Sequence, residues 1–315
     1  MSKAIRQVYG EYLAELGRQR PDIVVLDADV SSSTQTKFFA KEHPERFFNM
    51  GIAEANMTAT AAGLASQGFV PFVNTFAVFI SSIGYLPARA LACYGNLNVK
   101  LAGAYCGLSD AFDGASHHAT EDIAILRALP NMKVFCPADA TATRALTQLC
   151  ADTQGPCYLR LSRDVYPDLY PEDTQFQVGQ GNLVRTGQDV TVIACGILVH
   201  KALEAATLLE QEGISVQVVD MYSIKPLDED LVRLCARNTG AIVTAEEHSV
   251  IGGLGGAVAE CLARSGIGVP VEMVGIQDTF TESGPYETLL HKYGLDSAAV
   301  IQAIRTVLAK KQIGE

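Results

Sequence analysis

The sequence predicts an α/β protein with two doubly wound domains, each built on a largely parallel sheet. Apolar segments of strand length alternate with helical segments along almost the whole chain. The strand segments are continuous apolar runs, as in "DIVVLDADV" and "DVTVIACG", which is typical of parallel sheets covered by helices on both faces. The alternation breaks once, in a stretch rich in proline and acids that reads as a linker. We therefore expect domains over residues 1–165 and 187–315, joined by a linker over 166–186.

The first domain begins with a helix predicted over residues 2–20, because apolar residues recur there at helical spacing. Its strands are expected, in chain order, at "DIVVLDADV", "RFFNMG", "FVPFVNTFAVF", "NVKLAGAYCG", "MKVFCPAD" and "PCYLRLSR". Between them, helices are expected at "AEANMTATAAGLASQG", "EDIAILRALP" and "TATRALTQLCAD". The first of these helices is rich in alanine and is followed by Gly68, a residue suited to a C-cap.

The second domain repeats the same alternation. Its strands are expected at "DVTVIACG", "ISVQVVDMYSIKPLD", "AIVTAEEH" and "PVEMVGIQD", and its helices at "ILVHKALEAATLLEQEG", "EDLVRLCARNTG", "GGLGGAVAECLARSG" and "SAAVIQAIRTVLAKK". The glycines of "GGLGG" could cradle an anion at a helix start, but they lack the complete dinucleotide fingerprint. We interpret them as a tight strand–helix junction, and we expect Glu246, Glu247 and His248 before it to line a subunit contact.

Composition excludes several classes of protein. The formal net charge is −11 and no cluster of lysine and arginine occurs, so nucleic-acid binding is not expected. The eight cysteines form no CxxC pair, which favours free thiols in a reducing cytoplasm, and the chain starts with a helix rather than a signal peptide. Residues 69–88 are uncharged and long enough to suggest a membrane span. Because they include Pro71, Asn74 and Pro87, we predict a buried strand followed by a helix instead.

One acid stands at the edge of the most apolar region of the chain. It is Glu54, in "FFNMGIAEANM", and no other charge occurs over residues 55–88. Apolar surroundings disfavour the charged form of a carboxyl group, so we expect Glu54 to exchange a proton near neutral pH. The simpler alternative is an acid that the dipole stabilises at the start of a helix.

Four polar segments follow strands of the first domain. They are "DADVSSST" (27–34), "NMGIAEANM" (49–57), "NTFAVF" (74–79) and "FDGASHH" (112–118). The carboxyl ends of parallel strands meet at one edge of a sheet, where ligands bind in doubly wound folds, so these segments could form one site. Each is weak alone, since an acid can be a helix cap, a histidine a surface group and a phenylalanine pair core packing. No metal site is predicted, because the histidine pair lacks an accompanying ligand cluster.

Taken in order, the motifs resemble those of a known enzyme family. They are "GIAEANM", "AAGLASQGFVPFVNTFAVF", "DGASHH", "LSRDVYP", "EEHSVIGGLGGAVAE" and "DTFTESG". Over about residues 3–310 the chain resembles the C-terminal half of transketolase, namely its pyrimidine-binding and C-terminal domains. The resemblance implies thiamine diphosphate as cofactor and the transfer of a two-carbon ketol unit from a ketose to an aldose.

The resemblance also assigns the cofactor site. Glu54 matches the catalytic glutamate that bonds N1′ of the aminopyrimidine ring. Phe76 and Phe79 match aromatic residues that pack on that ring and exclude water, and Asp29 matches an acid near the cofactor. Ser82 stands where the family has a third aromatic residue, so one wall of the pocket differs here.

The substrate end of the site follows from the same resemblance. Asp113 and His117 match residues that contact sugar hydroxyls, and a neutral histidine can also transfer protons near pH 7. Ser33 matches a hydroxyl that helps to hold a substrate phosphate, and Arg163 matches an arginine that clamps a terminal phosphate. Tyr105 stands near a position where the family has another phosphate-binding histidine, so the anion end is only partly preserved.

The resemblance implies a partner. The N-terminal domain of full-length transketolases binds the diphosphate through Mg²⁺ and carries a GDG motif, which this chain lacks. We therefore expect a separate N-terminal subunit that holds Mg²⁺, a heterotetramer and a cytoplasmic location. The alternatives are a 1-deoxyxylulose-5-phosphate synthase-like enzyme, the β subunit of a 2-oxo acid dehydrogenase, and a non-catalytic scaffold. Retention of Glu54, Asp113 and His117 argues against the scaffold.

Overall fold

The computed structural model describes residues 3–314 and confirms the predicted class, with two mainly parallel sheets flanked by helices. Met1, Ser2 and Glu315, which limit the predicted domains and the first predicted helix, lie outside the described residues. The strands are β1 (Ile23–Asp27), β2 (Phe47–Asn49), β3 (Val70–Phe76), β4 (Lys100–Ala104), β5 (Lys133–Phe135), β6 (Cys157–Leu161), β7 (Asn182–Arg185), β8 (Val190–Ala194), β9 (Val216–Asp220), β10 (Ser223–Lys225), β11 (Ile242–Ser249) and β12 (Val271–Ile276).

The helices fill the connections between these strands. They are α1 (Ile5–Gln19), α2 (Ser31–Thr34), α3 (Lys37–Glu42), α4 (Glu54–Ser66), α5 (Ala77–Ser82), α6 (Tyr85–Pro87), α7 (Asp122–Arg127), α8 (Ala140–Asp152), α9 (Ile197–Glu210), α10 (Glu229–Thr239), α11 (Leu254–Arg264), α12 (Tyr286–Lys292) and α13 (Ser297–Gly314). Shorter turns of helix are 3₁₀ at Pro44–Arg46 and Ala111–Ser116, and π-helical at Ala88–Cys93.

The first sheet has seven strands in the order β10-β5-β6-β4-β3-β1-β2. Neighbours are parallel except at one edge, where β10 runs antiparallel to β5. β10 comes from much later in the chain and completes a sheet whose other strands end at Leu161. From β1 the chain continues to β2 on one side of the sheet, and from β3 it continues to β4 on the other side. The carboxyl ends of β1 and β3 therefore form the crevice where such folds bind ligands.

The second sheet has five strands in the order β12-β11-β8-β9-β7. Its neighbours are parallel except β7, which pairs antiparallel with β9. β7 lies within residues 166–186, the segment predicted as a linker. The rest of that segment contains no other named helix or strand.

A buried ionic network joins the two sheets. Arg160, at the end of β6, donates to both carboxylate oxygens of Asp122 at 2.8 and 3.1 Å, and to the carbonyl oxygen of Glu247 at 2.9 Å. The carboxylate of Glu246 accepts the N–H groups of Leu254 and Gly255, at 2.7 and 2.8 Å, where α11 begins.

The expectation that Glu246, Glu247 and His248 line a subunit contact is therefore wrong, because all three side chains are buried inside the chain. Glu246 accepts backbone N–H groups at the start of α11, and the carbonyl oxygen of Glu247 accepts from Arg160 at the junction between the sheets. The glycines beside them make a close packing contact, since a Cβ on Gly253 would lie 2.1 Å from the Glu246 carboxylate.

Residues 69–88 fold as predicted, with the buried strand β3 followed by the short helices α5 and α6. Over residues 3–314, none of the helices combines the length and the apolar character that a membrane crossing needs. All eight cysteines are buried free thiols.

Candidate active site

Glu54 is the first residue of α4 and lies in the interior, with only 4% of its surface exposed. Its carboxylate accepts one hydrogen bond, from the hydroxyl of Thr75 at 3.3 Å, and no ion pair to it is formed among residues 3–314. Thr75 lies on β3 and is buried as well. The acid is thus held by one neutral donor and retains capacity to bond a further group. Thr75 was missed by the sequence reasoning, although it directly precedes Phe76.

Two aromatic rings follow Thr75 along the chain. Phe76 ends β3 and Phe79 lies in α5, and their ring centroids are 5.9 Å apart. Both rings are half-buried, so each presents a face that a ligand can cover. Ser82, three residues further, is exposed and donates its hydroxyl to the carbonyl oxygen of Val78 at 2.5 Å. It therefore supplies no third ring to the wall.

His117 packs edge-on against both phenylalanines. Its ring centroid is 5.2 Å from that of Phe79 and 6.0 Å from that of Phe76, and its Nδ1 lies 3.0 Å from the hydroxyl of Ser116. His118 turns the other way: Nδ1 lies 2.7 Å from the hydroxyl of Thr281, and burial lowers the pKa of this imidazole. Only the first histidine of the pair reaches the aromatic wall.

Tyr105 extends the wall towards two arginines. Its ring stacks on Phe76 with centroids 4.8 Å apart and an interplanar angle of 23°. Its backbone has a φ of +59°, a left-handed conformation that is costly for a bulky residue and that turns the chain sharply after β4. The Nη1 group of Arg6 donates to the Tyr105 hydroxyl at 2.6 Å and to the carbonyl oxygen of Ser33 at 3.0 Å.

Arg163 also lies against the Tyr105 ring. Its guanidinium carbon is 5.3 Å from the Tyr105 ring centroid, and Arg6 is at 5.2 Å. The Nη1 atom of Arg163 is 3.6 Å from a carboxylate oxygen of the buried Asp110. Burial and the neighbouring Asp113 raise the pKa of Asp110 to about 7. Asp113 itself is exposed, in the 3₁₀ turn that leads to His117.

Asp29 and Ser33 follow β1. Asp29 is exposed, has a φ of +66° and accepts a hydrogen bond from the Asn49 amide at 2.7 Å. Within the described part of the chain it has no recorded contact with the phenylalanines. Ser33 contributes its carbonyl oxygen, rather than its hydroxyl, to the cluster through Arg6. Asp29 thus lies beside the β2 exit loop that precedes Glu54, whereas Ser33 lies at the arginine end.

Apart from Asp29, the sequence-predicted residues fall into one connected arrangement. Glu54 joins through Thr75 to the aromatic wall, His117 lies on that wall, and Tyr105 links it to the arginine end. Arg6 and Asp110 were missed, because Arg6 lies in α1 and reaches the cluster only through the folded topology. No local pattern marks such a residue, whereas Asp110 could have been suspected as an acid within an apolar loop.

The arrangement suits a flat ring with a basic nitrogen. A buried carboxyl group that has one neutral hydrogen bond can bond such a nitrogen, and half-buried aromatic faces can cover the ring. Within residues 3–314 no group of three or more histidine, cysteine or acidic side chains is placed to hold a metal ion.

Comparisons with known proteins show the family of the chain. The family model for the transketolase pyrimidine-binding domain matches residues 1–168, and that for the transketolase C-terminal domain matches residues 179–300. A protein of Methanocaldococcus jannaschii named for a transketolase C-terminal section is 43% identical over 311 residues, which cover 98% of both chains. Transketolase of Rattus norvegicus is 40% identical over 311 residues, which cover 98% of this chain but 49% of the rat enzyme.

A solved structure extends the comparison to the backbone. A split gene transketolase, described as an inactive β4 tetramer, is 50% identical and superposes with a TM-score of 0.90. The match covers 99% of this chain and 100% of that one. The chain therefore belongs to the transketolase family and corresponds to the C-terminal half of the full-length enzyme.

Proposed function

We propose that this chain is the C-terminal subunit of a split, thiamine diphosphate-dependent transketolase that transfers a two-carbon ketol unit from a ketose to an aldose. The observation that carries the proposal is the buried carboxyl group of Glu54, which is hydrogen-bonded to Thr75, directly before Phe76 and near Phe79 in the chain. It places a carboxyl group and a flat apolar wall at the same end of the sheet. Family membership and the preserved order of the motifs support it.

The residues present fit the aminopyrimidine half of the cofactor. Thiamine diphosphate, when bound, supplies a nucleophilic carbon and an electron sink for breaking and forming the ketol bond. Glu54 would hold and move the proton at N1′ of the pyrimidine, with Thr75 fixing its carboxylate. Phe76 and Phe79 would cover the ring and exclude water, and Asp29 would stand nearby at the exit of β1.

The sugar would lie between the aromatic wall and the arginine end. His117 is placed to hold a sugar hydroxyl and to transfer its proton, and the exposed Asp113 can accept a hydroxyl hydrogen bond. Arg163 and Arg6, both next to the Tyr105 ring, would hold the far end of the substrate. Ser33 would help to fix Arg6 through its carbonyl oxygen.

Several observations support a separate N-terminal subunit. The chain aligns with 49% of the rat enzyme, and its described residues offer no metal-ligand group, so Mg²⁺ would be held mainly by the partner. Apolar side chains are exposed around the site, with Ile52 85% exposed only two residues before Glu54. Others are Ile83, Leu86 and Tyr94. Exposed apolar surface of this kind is typical of a subunit interface.

We propose a heterotetramer of two copies of each subunit, in the cytoplasm, where the eight free thiols would remain reduced. Within each copy of this chain, residues 1–165 would form the pyrimidine-binding domain and residues 187–315 the C-terminal domain, with 166–186 between them. Neither a nucleic acid nor a membrane is a proposed partner.

The test is reconstitution. This chain is co-purified with candidate N-terminal subunits, and the complex is supplied with thiamine diphosphate and Mg²⁺. Ketose plus aldose should give ketol transfer, whereas pyruvate plus an aldehyde should give no product, and this chain alone should be inactive. Turnover of pyruvate instead would favour the synthase or dehydrogenase alternatives, and a stable complex inactive with every donor would favour a scaffold.

A further inference from the structure

We propose that Asp110 makes the arginine end of the site favour acceptors whose far end is neutral or singly charged, and disfavour sugar phosphates. The proposal rests on the proposed function, since it names the substrate class of the same site. The observations that carry it are the position of Asp110 against Arg163, the internal use of Arg6, and the balance of charges around them.

Asp110 is fully buried next to a half-exposed cation. Its carboxylate oxygen lies 3.6 Å from Nη1 of Arg163. Neither oxygen has a hydrogen-bond partner among residues 3–314. An unsatisfied buried carboxylate is costly, and the nearby guanidinium is the charge that compensates it. Part of the positive field of Arg163 is therefore directed into the protein and away from a ligand.

Arg6 is also committed internally. Both hydrogen bonds of its Nη1 group go to protein oxygens, those of Ser33 and Tyr105. A guanidinium binds phosphate best through two parallel N–H groups, and Arg6 has already used one of its terminal nitrogens. The Tyr105 hydroxyl accepts from Arg6, so its own hydrogen remains free to donate to a substrate oxygen, including an uncharged one.

The negative charge of the carboxylates around Arg6 and Arg163 equals or exceeds the positive charge of the two guanidinium groups. Besides Asp110, these are Asp113 and Asp164. Burial raises the pKa of Asp164, and Arg163 and Arg6 act against that rise. The same two arginines act against the rise that burial and Asp113 cause in the pKa of Asp110. Even with one of the three carboxyl groups protonated, the cluster has no net positive charge.

A phosphate monoester carries a charge of about −1.5 to −2 at neutral pH. It needs net positive charge or several free donors, and this cluster provides neither in full. A hydroxyl can use the exposed donors of Arg163 without repulsion from the carboxylates, and a single negative charge is repelled less than a dianion. The chemistry of the cluster thus favours the less charged sugar.

The first experiment uses the complex assembled with its N-terminal subunit, with D-ribose and D-ribose 5-phosphate as acceptors. At about pH 8, the pH of both experiments and above the pKa of about 7 of Asp110, the KM of Asp110→Asn for the phosphorylated acceptor should fall about tenfold, because the variant removes a negative charge next to the Arg163 guanidinium. The KM for ribose should change less than the KM for ribose 5-phosphate, because ribose carries no charge for Asp110 to repel, and both kcat values are measured alongside. Asp230→Asn, on an exposed aspartate of α10, is the matched control and should leave all four values unchanged.

The second experiment does not depend on turnover. Inorganic phosphate is titrated into the assembled complex by calorimetry, and Asp110→Asn should bind it about tenfold more tightly than the unaltered protein. Asp164→Asn should shift the affinity in the same direction, which keeps the test open if the first variant fails to fold.

The proposal is overturned if neither variant changes the phosphate affinity, or if Asp110→Asn improves the KM of both acceptors equally. Absence of ketol transfer with every acceptor would instead overturn the proposed function, while the phosphate titration would still decide the role of Asp110.

Discussion

Replacement of Glu54 by glutamine tests whether this acid moves a proton. Glutamine has nearly the same shape and keeps a carbonyl oxygen that can accept the hydrogen bond from Thr75. It has no proton to exchange with a ring nitrogen. The substitution therefore removes the proposed chemistry and leaves the packing of α4 in place.

The size of the effect follows from what Glu54 contacts. Its side chain makes one neutral hydrogen bond, at the long distance of 3.3 Å, so Glu54→Gln should change the free energy of unfolding by less than about 1 kcal/mol. Proton transfer by a positioned side chain contributes about 10²–10⁴-fold in rate, or about 3–5 kcal/mol of activation free energy. We therefore expect kcat to fall by about 10²–10⁴-fold with the fold intact.

The assay is ketol transfer by the assembled complex at saturating cofactor, with the free energy of unfolding of each chain measured in urea. Thr75→Val should reduce kcat by about tenfold, since it only loosens the position of the acid. Glu45→Gln is the control, because Glu45 is exposed and pairs with Arg46, and the kcat of this variant should stay within about twofold. A Glu54→Gln complex with kcat within about threefold of the unaltered enzyme would refute the reasoning, because it would exclude a proton-transfer role.

Two further predictions concern stability and can be measured on this chain alone. Asp122→Ala leaves the buried guanidinium of Arg160 without its carboxylate, and it should lower the free energy of unfolding in urea by about 3–5 kcal/mol. The control is Glu260→Ala, which breaks an exposed ion pair with Arg127 and should lower that free energy by less than about 1 kcal/mol. Equal losses in the two variants would contradict a stabilising role for the buried pair. Burial raises the pKa of Glu247 from 4.5 to about 7, so the folded state binds its proton more tightly than the unfolded chain does. The contribution of Glu247 to the free energy of unfolding is complete below the pKa of the unfolded state and is lost as pH rises through the pKa of the folded state. The free energy of unfolding should therefore fall by roughly 3 kcal/mol from about pH 4.5 to about pH 7 on account of this group. Glu247→Gln should flatten that part of the profile, and an unchanged slope would show that other groups cause it.

The sequence was sufficient for the parts of the site that follow strands directly. Glu54, Phe76 and Phe79 each occur within a few residues of the carboxyl end of a parallel strand, so alternation of strands and helices was enough to bring them to one edge. His117 could be predicted with them through its motif. The preference of such edges for ligands is a property of the fold class, which does not depend on side-chain detail.

Other parts depend on contacts between distant segments and have no local signal. Arg6 lies in an ordinary amphipathic helix and joins the site only because α1 ends up beside Tyr105. The opposite directions of His117 and His118 depend on a contact with Thr281, far along the chain. The strand β10 is three residues long and polar at both ends. The strand propensity of its residues therefore could not show that it pairs with β5 in the first sheet.

The placement of β10 has a consequence for anyone who divides this chain into pieces. A fragment ending before residue 166 would lack the strand that covers the outer edge of β5, and it would also lose the Glu247 carbonyl that Arg160 binds. Its open sheet edge would present unpaired backbone groups, which promote self-association. We expect such a fragment to aggregate on expression, so the shortest piece of this half-enzyme that can be purified in native form should extend past Lys225 and include β11.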